Sequence, residues 1–146
     1  MSALASAGVA IAATLTLAGI VGVLHSRRAG VLRAGAVRTA SAVSALSDEV
    51  NALGLSRNGP TIVHFTAEWC GPCAAVRRVV DQVCADLPQV AHVEIDMDAD
   101  PAAARRLGVL SLPTTFIFDA EGGQRYRASG VPKVADLRAA LAALLA

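Results

Sequence analysis

The first 24 positions are apolar or small, with no charged side chain between Met1 and Leu24. Leu15, Leu17, Ile20, Val21, Val23 and Leu24 crowd the second half of this stretch. As a helix it is long enough to cross a hydrocarbon core of ~30 Å, which takes about 20 residues. Beyond it the pattern breaks into short stretches of changing period. Ala42 to Leu55 repeats apolar side chains at Val43, Leu46, Val50 and Leu53, one face of a helix. Ser56 to Pro60 is a turn. Thr61–Thr66 (TIVHFT) predicts a short, buried, parallel-type strand. Ala74 to Leu87 predicts a helix through Val76, Val79, Val80, Val83 and Leu87, and Pro88 ends it. Val90 to Met97 alternates, with Val93, Ile95 and Met97 on one side and His92, Glu94 and Asp96 on the other. Asp100-Pro101 opens a short helix that stops near Gly108. Thr114–Asp119 and Gln124–Ala128 flank the Glu121-Gly122-Gly123 turn as a hairpin. Pro132 begins a last helix through Leu137, Leu141 and Leu145. The order α–β–α–β–α–β–β–α predicts an α/β domain, a mixed sheet flanked by helices. A first strand ahead of the Ala42–Leu55 helix is hard to find, so the sheet is expected to have four strands, or five.

Charge changes the picture of the N-terminus. A cleaved signal peptide wants a positive region before its apolar stretch, and there is no Lys or Arg there. Arg27, Arg28, Arg33 and Arg38 follow the stretch, and no acidic residue appears before Asp48. This asymmetry predicts one uncleaved N-terminal transmembrane helix over 1–24, in contact with membrane lipid, with the C-terminal side in the cytoplasm. Residues 25–41 then read as a basic juxtamembrane linker and 42–146 as the globular domain. Elsewhere charges balance: 13 Lys and Arg against 12 Asp and Glu leave +1, which gives no electrostatic case for a nucleic-acid partner.

The chemistry is concentrated in Trp69-Cys70-Gly71-Pro72-Cys73. Two thiols one helical turn apart, where a strand gives way to a helix, suit reversible exchange between a dithiol and a disulfide. A helix N-terminus places partial positive charge beside a sulfur and favours its thiolate, the nucleophilic form. Cys70 lies at the mouth of the helix and Cys73 one turn in, so the outer thiol attacks and the inner one resolves. Zinc would need two more ligands at similar spacing. The third cysteine, Cys84, is alone and no Cys/His pair follows, so no metal is expected. Cys84 falls eleven residues after Cys73, close to three helical turns, and is expected to face the core.

Several of these motifs, in this order, resemble the thioredoxin family over about residues 42–146. Ala67-Glu68-Trp69-Cys70-Gly71-Pro72-Cys73 looks like its active-site run, and Asp98-Ala99-Asp100-Pro101 with Leu107-Gly108-Val109 like its third-strand exit and helix. Leu112-Pro113-Thr114 matches its cis-proline loop; Phe116-Ile117-Phe118, Gly122-Gly123 and Gly130 match its closing hairpin and last helix. The resemblance implies a thioredoxin fold and a protein-disulfide reductase. No cofactor is implied beyond the redox-active Cys70–Cys73 disulfide. Trp69, Gly71 and Pro72 would shape the site, and the backbone around cis Pro113 would pair with an extended substrate segment. Partners would be disulfide-containing proteins and a thioredoxin-reductase-like or dithiol electron donor.

The chain also departs from the family pattern. His64 stands where a buried aspartate is usual, and Glu94 where its lysine partner is usual. One reading makes His64 the group that takes the proton from Cys73, tuned by Glu94; histidine suits this, with an unperturbed pKa of ~6.5. The other makes His64 a satisfied buried histidine and Glu94 a solvated carboxylate. Thr66, Ala74 and the Arg77-Arg78 pair also replace usual residues, which implies an altered docking surface. The expected function is thiol–disulfide exchange at a membrane. Rival readings are an outward-facing anchored thioredoxin serving envelope or cytochrome-maturation thiols, and a non-enzymatic interaction module.

Overall fold

Thr61–Thr66 is buried at every position, as a strand covered on both faces must be. It is an inner strand of one mixed five-stranded sheet, with a neighbour on either side. The computed structural model describes residues 30–34 and 52–146. In chain order the strands are β1 (Arg33–Ala34), β2 (Thr61–Thr66), β3 (Ala91–Asp96), β4 (Thr114–Phe118) and β5 (Gln124–Ser129). The helices are α1 (Cys73–Asp86), α2 (Pro101–Arg106) and α3 (Val134–Leu145). β2 runs parallel to β3 and antiparallel to β4, and β5 is antiparallel to both β4 and β1.

The period-2 pattern of the strands sorts two cores. Val63, Phe65, Phe116 and Phe118 face Ala103 and Ala104 of α2 together with Leu53 and Leu55. Ile62 and Ile117 face Val76, Val80 and Val83 of α1 and Leu137 and Leu141 of α3. Each Val, Leu, Ile or Phe among them that is fully buried contributes about 1.5–3 kcal/mol relative to leaving it in water. Cys84 packs at the margin of the second core, as its spacing predicted. Asp100 caps α2 by accepting from the Ala103 N–H at 2.9 Å, Pro101 fills the first turn, and Gly108 (φ +60°) ends it in a conformation that side-chain-bearing residues disfavour.

The sheet has the fifth strand that the sequence did not locate. It comes from residues expected to be linker: Arg33 pairs with Arg127 and Ala34 with Tyr126. Just before it, the Gly30 N–H donates to Ser129 O, and a Cβ on Gly30 would run into the Val131 backbone carbonyl. The span predicted over 1–24 lies outside the described residues, as does the helix predicted over Ala42–Leu55 up to residue 51. Residues 52–53 are helical. Among the described residues, no helix is long and apolar enough to cross a membrane.

Candidate active site

β2 delivers the chain to a tight turn from which α1 departs. The Cys70 N–H donates to Ala67 O at 3.0 Å and the Cys73 N–H to Cys70 O at 3.2 Å, which folds residues 67–73 back on themselves. Cys70 and Cys73 are joined by a disulfide, with Cα atoms 5.5 Å apart. Their surroundings differ in the sense the two roles need: Cys70 is 8% exposed and Cys73 2%. Cys73 Sγ lies 3.9 Å from Phe65 O, tied to the end of β2. Ala67 and Leu112 complete the small apolar cluster around the two sulfurs.

α1 begins with Pro72 at its cap, no side-chain cap hydrogen bond and no acidic residue in its first turn. Its N-terminal partial charge is therefore not offset by a carboxylate, a setting that favours a thiolate once the disulfide is opened. Trp69 is 67% exposed, and its Nε1–H donates to Asp98 Oδ2 at 2.9 Å, which holds the indole beside the disulfide turn. Gly71 and Pro72 are exposed on the same turn. The Leu112–Pro113 peptide is cis. Pro113 O accepts from the Gly130 N–H at 2.8 Å, and the buried Thr114 donates its hydroxyl to Ser111 O at 2.7 Å, so the loop is fixed from both ends.

His64 is fully buried on β2, on the side that packs under α1. In register it pairs with Glu94 on β3 and Thr115 on β4. His64 Nε2 lies 3.7 Å from Glu94 Oε2 and has no hydrogen-bond partner. Glu94 is not a free solvated carboxylate. Arg77, one turn into α1, grips both its oxygens, through Nε at 2.8 Å and through Nη2. That grip, with help from the neighbouring histidines, holds the Glu94 carboxyl below its usual range. Burial drives His64 down to about 4, against the opposing pull of Glu94.

The sequence reading missed His92 and Asp81. His64 Nδ1 is 2.8 Å from His92 Nε2, and His92 Nδ1 is 3.5 Å from Asp81 Oδ1. Two signals pointed to them. Alternation on β3 puts His92 on the Glu94 face, and Arg77 and Asp81 are four apart on α1, hence on one helix face. His64, His92 and Glu94 bring ligand-type atoms within 4.8 Å of one another. Arg77 clamps Glu94 and the two rings are hydrogen-bonded to each other, while His64 Nε2 is left without a partner. Cys84 is half-buried and unpaired; burial, then the Asp81 charge, pushes its thiol up and keeps it protonated.

The thioredoxin family model matches residues 42–143. This chain belongs to the thioredoxin family. It is similar to thioredoxin of Chlamydia muridarum, with 43% identity over 61 residues, 42% of this chain and 60% of that protein. It is also similar to thioredoxin of Mycolicibacterium smegmatis, with 40% identity over 84 residues, 53% of this chain and 73% of the relative. Among solved structures, a thioredoxin from Trypanosoma brucei brucei superposes with TM-score 0.57 at 27% identity, over 68% of this chain and 84% of that one. The thioredoxin fold, α/β with a mixed five-stranded sheet, is thus shared with its relatives. The Cys70–Cys73 disulfide lies in the part of the chain that the family model covers.

Proposed function

We propose that this thioredoxin-family chain is a thiol–disulfide oxidoreductase that reduces protein disulfides at a membrane, with its catalytic domain in the cytoplasm. The observation that carries the chemistry is the Cys70–Cys73 disulfide at the uncapped start of α1, beside the cis Pro113 loop. In the reduced enzyme, the Cys70 thiolate attacks a substrate disulfide. A Cys70–substrate bond forms, the substrate bond breaks, and the departing sulfur takes a proton. Cys73 then gives up its proton, with His64 as acceptor, and attacks Cys70 Sγ. The mixed disulfide breaks, the second substrate sulfur leaves, and Cys70–Cys73 closes. Two electrons and two protons pass to the substrate, and a thioredoxin-reductase-like protein or another dithiol returns them.

A protein substrate fits the surroundings. Trp69, Leu110 (93% exposed) and Val131 are large apolar side chains open to solvent, the last two flanking the Pro113 loop and its Gly130 partner in sequence. The membrane reading is supported by the uncharged stretch 1–24 and the arginines after it.

The test is reduction of insulin disulfides by the full-length protein in detergent. Turnover with dithiothreitol as donor is expected, and Cys70→Ser is expected to remove it. Equal rates for the two proteins would mean that the chain is an interaction module and no enzyme.

A further inference from the structure

A line of polar groups runs from the buried centre of β2 to the surface of α1. His64 Nδ1 and His92 Nε2 are 2.8 Å apart, the two rings lie within 20° of parallel, and His92 Nδ1 is 3.5 Å from Asp81 Oδ1. Exposure rises along this line, from 0% for the His64 side chain to 18% for His92 and 61% for Asp81. At the inner end His64 Nε2 is buried and unpartnered. A buried polar nitrogen without a partner is costly.

We infer that His64, His92 and Asp81 form a proton path between Cys73 and solvent, with His92 as the residue that positions His64 and relays its proton. This rests on the reading of Cys70–Cys73 as an exchange site with His64 as acceptor, and it names the route that reading leaves open. The tautomers follow from the outer end. Asp81 as a carboxylate only accepts, so it turns the His92 Nδ1–H toward itself. His92 Nε2 is then an acceptor, and the His64 Nδ1–H donates to it. The lone pair is left at His64 Nε2, 3.7 Å from Glu94 Oε2, whose charge is taken up by Arg77 on both its oxygens.

Cys73 begins α1 and its sulfur is seated on Phe65 O, the residue next to His64 in β2. When Cys73 resolves the mixed disulfide, its proton goes to His64 Nε2, directly or through one water. The His64 Nδ1 proton crosses to His92 Nε2, and the His92 Nδ1 proton leaves to Asp81 and water. The Cys73 electron pair forms the bond to Cys70 Sγ, and the pair of the broken Cys70–substrate bond departs on the substrate sulfur, which takes a proton from water. When a donor dithiol reopens Cys70–Cys73, the Cys73 thiolate recovers a proton by the reverse path and both tautomers reset.

The charges around His64 suit transit better than storage. Glu94 and His92 face it from β3, Arg77 and Asp81 from α1, while β4 brings the neutral Thr115 and α3 turns Leu137, Ala140 and Leu141 to this side. Burial depresses His64 more than Glu94 restores it, so a proton received there is passed on.

Single-turnover kinetics on the full-length protein separate attack by Cys70 from resolution by Cys73, with a dye-labelled peptide disulfide as substrate. The readout is the ratio of resolution rate to attack rate between pH 5.5 and 8.5. His92→Phe is expected to lower that ratio at least about tenfold at pH 7, less than the ~10²–10⁴ of a lost general base because His64 remains as acceptor. Asp81→Asn should lower it less. Imidazole added to the buffer should restore part of it in His92→Ala, which a loss of packing alone would not allow; this rescue decides the matter if His92→Phe fails to fold. A His92→Ala ratio equal to wild type, with His64→Leu slow, overturns the relay and leaves His64 as acceptor. A wild-type ratio in His64→Leu removes the acceptor and the relay together, and insulin turnover by Cys70→Ser removes the exchange reading beneath them.

Discussion

His64 is fully buried, and its pKa falls from 6.5 to about 4, chiefly through desolvation and against the pull of Glu94. The unfolded chain binds a proton there near pH 6.5, and the native protein resists doing so until about pH 4. Between those values the unfolded state holds more protons, so stability drops as pH drops. The contribution is complete above about pH 7 and is progressively lost down to pH 4, a loss on the order of 3 kcal/mol. Glu94, held below its usual range by Arg77, acts in the same direction at the acid end. In thermal melts of the full-length protein in detergent, Tm is expected to fall steadily from pH 7 to pH 4. His64→Leu should flatten that slope. Parallel profiles for the two proteins would show that the acid sensitivity arises elsewhere.

Arg127 on β5 ties the sheet to the end of α2. Its guanidinium donates to Leu107 O at 3.2 Å and to Gly108 O at 2.7 Å, and lies 5.0 Å from the centre of the Phe116 ring. These two carbonyls lie just past the last residue of α2, at its negative end, so a cation is favourably placed there. Arg127→Met keeps the packing and loses these bonds. It is expected to cost about 1–3 kcal/mol, read as a lower urea midpoint at unchanged slope. An unmoved midpoint would mean that water serves those carbonyls equally well. Such ties explain what could be read from the chain and what could not. β2, α1 and the hairpin announced themselves because burial on both faces, a 3.6-residue period and a glycine turn are local patterns. β1 has two residues and both are exposed, so backbone pairing made it and no periodicity marked it. The C-x-x-C turn was equally local, and its chemistry was plain. The His64–His92 contact joins neighbouring strands 28 residues apart and depends on their register, Ile62 opposite His92 and His64 opposite Glu94. The polar side of β3 looked solvated because nothing in its own alternation says that Arg77 and Asp81 of α1 lie over it.

The described chain enters the fold beside the Pro113 loop. Gly30 donates to Ser129 O, and the next residue, Gly130, donates to Pro113 O. A membrane span ending at Leu24 would leave residues 25–29 as the only tether, a reach of about 20 Å at full extension. On that reading the Pro113 edge works close to the bilayer surface, and the side it works on depends on the arginines at 27, 28, 33 and 38. Cysteine labelling measures the side directly. Cys84 would confuse the signal little, since its thiol is half-buried and held protonated, and a Cys84→Ala background removes it altogether. Cells expressing that variant are treated with a membrane-permeant reductant to open Cys70–Cys73, then with a maleimide that cannot cross the membrane. A cytoplasmic domain predicts little modification of Cys70 in intact cells and near-complete modification after permeabilisation. Full modification in intact cells would reverse the topology and make this an outward-facing thioredoxin, whose substrates are thiols of the envelope. Recovery of the protein from the soluble fraction, with residues 1–24 still attached by mass, would remove the anchor and with it the claim that the redox edge is held at a bilayer.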